Sequence, residues 1–141
     1  MTSHVILRVL SKLMIPLIML FALYVQFHGD YGPGGGFQAG VIFGAGIILY
    51  ALIFGLDQAR EAFPPRLLEI LVAAGVLLYG AVGLATIYFG GNFLDYDVLA
   101  HDPRHGQHLG ILLVELGVGL TVAAVMATIF FSFAGRGRTD D

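Results

Sequence analysis

Four long apolar runs, each about as long as a bilayer is thick, organise this chain. The first covers about residues 5–27, with Arg8 and Lys12 in its opening turns and no charge from Leu13 onward. The second, residues 37–56, carries no charged side chain and is closed by Asp57. The third covers about residues 67–89, with Glu69 in its first turn, and the fourth about residues 109–133, interrupted by Glu115. About 20 apolar residues at 1.5 Å rise cross a ~30 Å hydrocarbon core, so each run predicts a transmembrane helix. Barrel strands would instead be segments of ~10 residues with alternating polarity. Residues 57–66 read as a short charged connection whose Pro64 and Pro65 suit the start of the next helix. Residues 92–108 read as a polar loop. The pattern therefore predicts an all-α membrane protein: a single four-helix transmembrane domain over residues 1–135 and a short tail, 136–141.

Composition agrees with the pattern. The 141 residues are 57% hydrophobic and 12% charged, and the mean hydropathy is +0.85, far from soluble averages. The first run begins basic, as a secretory signal does, but it is long and ends in Val25-Gln26-Phe27-His28 without a small-x-small cleavage pattern, so it reads as a retained helix. Pro16 cannot donate to the carbonyl of Lys12, which predicts a kink or local opening there. Charge sets the orientation: with the N-terminus cytoplasmic, Arg8, Lys12, Arg60, Arg66, Arg136 and Arg138 all lie inside and only Arg104 outside. Both termini are then cytoplasmic, and the expected location is the cell membrane. A net charge of −3 with scattered bases leaves no footprint for nucleic acid. The lack of cysteine excludes disulfides, thiolate metal sites, iron–sulfur clusters and cysteine nucleophiles.

The least generic segment is Gly32-Pro33-Gly34-Gly35-Gly36-Phe37-Gln38-Ala39-Gly40, between the first two runs. Consecutive glycines permit backbone conformations closed to other residues and let another backbone or an ion approach. Pro33 and the glycines are expected to set a tight turn, Gln38 to cap or hydrogen-bond it, and Phe37 to anchor it at the interface. Gly34-x-Gly36-x-x-Ala39 matches the dinucleotide fingerprint formally, but it follows a membrane helix rather than a strand, so no nucleotide partner is expected. Gly40 and Gly44 form a GxxxG spacing, and Gly119 lies one turn beyond Glu115, so close helix packing is expected at all three. Whether the packed partner is in this chain or another is open from the spacing alone, and the glycine stretch is expected to position its helices for a partner subunit.

Glu115 lies some six residues, roughly 9 Å, inside the fourth run. A carboxyl there costs a few kcal/mol unless it is protonated, paired or facing a wet cavity. It is a candidate for a proton or cation relay, or for a structural pair within an assembly; both readings stand. Lys12 and Glu69 lie about one turn inside the same boundary and could pair, although snorkelling of Lys12 and a helix-dipole role for Glu69 explain them more simply. Asp30, near His28, is a candidate for an external ion vestibule or a plain turn residue. His101, His105 and His108 have ligand-like spacing, but Pro103 and Gly106 argue against a regular helix there, so a solvated loop and no metal site is expected.

The run His28-Gly29-Asp30-Tyr31-Gly32-Pro33-Gly34-Gly35-Gly36-Phe37-Gln38-Ala39-Gly40 resembles the signature of the B subunits of multisubunit Na+/H+ antiporters, the Mrp or Mnh complexes. The resemblance extends over essentially the whole chain. Family members often have Gly-His where this chain has Gly29-Asp30, so a role of that histidine is not carried over. The resemblance implies an accessory, non-enzymatic subunit of a secondary cation/proton antiporter related to the membrane arm of respiratory complex I. It implies other antiporter subunits as partners, no cofactor, and Na+ and H+ as transported ions. Similar domains occur in the antiporter's large A subunit and in membrane-bound hydrogenases. Three roles follow: a transport subunit using Glu115 with Asp30, Lys12 or Glu69 along the ion path, a purely structural scaffold, or a hydrogenase-type energy-converting subunit.

Overall fold

The computed structural model describes residues 4–28, 35–99 and 103–136. Its helices are α1 (Val5–His28), α2 (Gly36–Phe54), α3 (Leu56–Ala62), α4 (Pro65–Tyr88) and α5 (Pro103–Gly135), with a 3-10 turn at Tyr96–Leu99 before α5. Helices α1, α2 and α4, together with residues Gly106–Gly135 of α5, are long and apolar enough to cross a membrane. The expected all-α architecture with four membrane helices is therefore present. Even the most enclosed of the four buries only 33% of its window inside this chain. Ile6, Leu77, Leu84 and Tyr88 are among the large side chains left outward. Such an apolar exterior suits lipid or other membrane helices, not water.

Helix α5 is the centre, packing along α2 on one side and α4 on the other, while α1 packs on α2. Cross-contacts give the directions. Gly40 lies against Gly119, and Gly44 against Ala123 and Met126, so α2 and α5 run parallel. Gly75 meets Thr121 while Gly117 meets Tyr79, so α4 and α5 run antiparallel. The start of α1 reaches Phe54 at the end of α2, which makes that pair antiparallel. The first residues of α1 and the last of α5 thus lie at one end of the bundle, with a core of Ile47, Ala51, Ala59, Leu68, Ala124, Ala127 and Phe131 beneath them.

Two boundaries differ from expectation. The second helix stops at Phe54 rather than Leu56, because Gly55 adopts φ +101°, and residues 56–62 of the expected charged connection form α3. Ala59 on α3 is fully buried in the core. The fourth helix begins at Pro103 rather than Leu109. Proline is well placed at a helix start, where its missing N–H would have no partner, and Gly106 is carried within the helix. The expected loop is consequently shorter. It is pinned by Thr86, which donates to the carbonyl of Gly83 (2.6 Å) and accepts from the backbone N–H of Leu94 (2.9 Å). Tyr96 folds over Gly110, and burial, with a smaller effect of Tyr79, raises its phenol above the usual 10.0. Pro16 lies inside α1, which continues through it as a helix.

Candidate functional site

The Gly-rich start of α2 and Glu115 of α5 come together at the end of the bundle away from the chain ends. Gly35 caps α2 with φ +141°, extends no side chain, and is followed by Gly36 as the first helical residue. A Cβ on Gly36 would strike the backbone carbonyl of Glu115, so only glycine permits this approach. One turn on, a Cβ on Gly40 would sit 2.7 Å from the Gly119 carbonyl and 2.8 Å from Val122 Cβ. A further turn on, at Gly44, the nearest atom is Met126 Cβ at 3.1 Å. Gly36, Gly40 and Gly44 thus form one stripe, and Glu115, Gly119 and Ala123 form the facing one. Small residues at every fourth position let two backbones meet in this way. The partner left open by the GxxxG spacing is α5 of this same chain.

This packing decides where the Glu115 side chain goes. Glu115 is half-buried and its Oε2 is fully enclosed. Its Oε1 lies 3.6 Å from the Cβ position of Gly35, and the Oε1 of Gln38 lies 3.0 Å from that same position. Two oxygen-bearing side chains therefore converge over Gly35. The first backbone N–H groups of α2 have no intrahelical acceptor, and a helix start carries roughly +0.5 of an elementary charge, so a carboxylate beside it is favoured. Because Gly36, the first residue of α2, packs on the Glu115 carbonyl, Glu115 stands level with the start of α2, and α5 extends twelve residues back from it to Pro103.

Gln26 was not singled out from sequence. It is 4% exposed, and its Oε1 lies 2.7 Å from the Cβ position of Gly119. Its Nε2 has no hydrogen-bond partner among the described residues. An unmet buried amide donor costs roughly 1–3 kcal/mol. The signal was a lone amide in the last turn of an apolar helix. Below it, an apolar groove of about 240 Å³ runs over α2 and α5, with Gln26, Gly40, Phe43, Gly119, Leu120 and Ala123 in its lining.

The remaining candidates are placed apart from this cluster. Phe37, the second residue of α2, is 61% exposed. Lys12 is exposed and stands with Arg8 in a recess against Phe54, whereas exposed Glu69 shares a different recess with Arg60. These two side chains are thus not brought together. Asp30, Gly32, Pro33, Gly34 and His101 lie outside the described residues. No group of three metal-ligating side chains occurs among the described residues.

Comparison with known proteins gives the family. Residues 6–128 match the family model described as a domain related to the MnhB subunit of Na+/H+ antiporter. A protein of Staphylococcus haemolyticus (strain JCSC1435) named "Putative antiporter subunit mnhB2" is 33% identical over 136 residues, covering 94% of this chain and 96% of that one. A protein of the same name from Staphylococcus aureus (strain Newman) is 35% identical over the same shares. With four membrane helices in sequence and a match over nearly its whole length, this multi-pass membrane chain belongs to the MnhB-related family of Na+/H+ antiporter subunits.

Proposed function

We propose that this chain is an accessory subunit of a multisubunit Na+/H+ antiporter in which Glu115 lines part of the cation or proton route at the Gly-rich start of α2. The supporting observation is the enclosed Glu115 carboxyl over Gly35, with Gln38 converging on the same point. An enclosed carboxyl among membrane helices exchanges a proton or a cation only if neighbouring groups and water reach it. The glycines contribute by clearing side-chain volume from one side. With both termini cytoplasmic, as the distribution of Lys and Arg favours, this cluster lies toward the external face. Asp30, next to it in sequence, is an additional entry residue in this reading. Lys12 and Glu69 lie at the opposite end, and any part they take would be at the cytoplasmic mouth.

Glu115→Gln tests the proposal. Antiport is measured in membrane vesicles together with the amount of assembled complex, with Glu115→Asp as the charge-retaining control. Loss of antiport in Glu115→Gln, with the complex intact and activity partly kept in Glu115→Asp, is the expected result. Normal antiport from a normal amount of complex would remove Glu115 from the route. The charge at the start of α2 favours a second reading, in which Glu115 only stabilises that helix end. In that case the complex is depleted or melts earlier, and antiport per complex is unchanged.

A further inference from the structure

We propose that the recess between the first turns of α1 and the end of α2 binds the phosphate head of an anionic glycerophospholipid. The recess has a volume of about 480 Å³. Arg8 and Lys12, four residues apart on α1, both turn into it. The guanidinium carbon of Arg8 lies 5.4 Å, and the ammonium nitrogen of Lys12 5.9 Å, from the centroid of the same Phe54 ring. Ring faces attract cations, but two full positive charges drawn to one ring also repel each other. Both side chains are long enough to swing apart into the interfacial region, as such residues commonly do at helix ends. Their convergence is best satisfied by an anion between them.

The lining says which kind of anion fits. Among the described residues no carboxylate lines the recess. Tyr50 and Gln58 add neutral hydrogen-bonding groups, while Ile15 and Pro16 form the wall on the side toward the bilayer centre. Pro16 has no N–H for the carbonyl of Lys12, so that carbonyl is available to a hydroxyl such as that of a glycerol head. Along α1 from the recess, Leu20, one turn beyond lining residue Pro16, is 61% exposed and Leu23 is 46% exposed, an apolar track on which acyl chains can lie. The recess itself is at the end of two membrane-length helices, the level at which phospholipid phosphates stand. A zwitterionic choline head would bring a third cation to the two already present. A free phosphate ion would gain the charge contacts but not the apolar track.

The test uses the protein purified in mild detergent with the subunits that accompany it. After delipidation, phosphatidylglycerol, phosphatidylcholine or inorganic phosphate is added back, and thermal stability and retained lipid are measured, the latter by native mass spectrometry. Phosphatidylglycerol is expected to raise the melting temperature and remain bound, whereas phosphatidylcholine and phosphate do neither. The double variant Arg8→Gln/Lys12→Gln should lower phosphatidylglycerol affinity by roughly 30-fold, from about one basic-residue contribution for each charge removed. The charge-retaining variant Arg8→Lys/Lys12→Arg should keep most of it. Equal stabilisation by all three additives, or undiminished retention in the double variant, would overturn the proposal. Loss of a neighbouring subunit from the double variant without any change in lipid retention would assign the two cations to a partner's carboxylate instead. Should the double variant fail to assemble, the comparison of additives on the unaltered protein decides alone.

Discussion

At the scale of single residues, the glycines are not equivalent. A Cβ at Gly36 or Gly40 runs into the backbone of α5, whereas one at Gly80 meets nothing within 4 Å. Gly36→Ala and Gly40→Ala are therefore expected to destabilise the protein by about 1–3 kcal/mol, the usual cost of overpacking. Gly80→Ala is expected to be neutral or to stabilise by up to about 1 kcal/mol through helix propensity. Gly44→Ala should fall between, because its closest contact is a methionine side chain that can yield. Melting temperatures of the purified assembly rank the four variants. Thr86 is the corresponding polar case. It is fully buried and holds Leu94, whose φ of +61° is unfavourable for a branched side chain. Thr86→Val would leave the Leu94 N–H unmet and is expected to cost roughly 1–3 kcal/mol, measured by the same melts.

Helices α3 and α5 show how elements are held at the end of the bundle that carries the chain ends. Arg60 on α3 donates to the carbonyl of Phe131 at 3.3 Å, within the last turns of α5, where the helix is partly negative. Its Nε is buried without a hydrogen-bond partner among the described residues, which offsets part of that gain. Arg60→Gln is therefore expected to cost only about 1 kcal/mol, with faster amide exchange confined to the last turn of α5. Global loss of exchange protection would mean that Arg60 does more than cap this helix. The extension of α5 to Pro103 also bears on Glu115, since it leaves more helix between that carboxyl and the connecting loop.

For the whole molecule, the distribution of cations predicts which ends face the cytoplasm, and the absence of cysteine makes this directly measurable. A single cysteine at exposed Asn92 should react with a membrane-impermeant maleimide in intact cells, whereas one at exposed Glu61 should react only after permeabilisation. The reverse pattern would invert the molecule and move the Glu115 cluster to the cytoplasmic side. Low burial within the chain also fits a subunit that completes its packing against neighbours or lipid.

The number of membrane helices and their approximate limits were legible in the sequence, because hydrocarbon tolerates so few charges and so few backbone choices, and for the same reason Glu115 and the glycine run stood out there as candidates. Boundaries set by one unusual torsion were not legible: the end of α2 depends on the backbone of Gly55, and the start of α5 on a proline that could equally have ended a loop. Only the tertiary structure could decide what the glycines pack against. Periodicity marks the small face of a helix but carries no information about which other helix meets it. Here the parallel pairing of α2 with α5 brings together two features that lie some eighty residues apart, Gly35-Gly36 and Glu115, and it encloses Gln26 beside them.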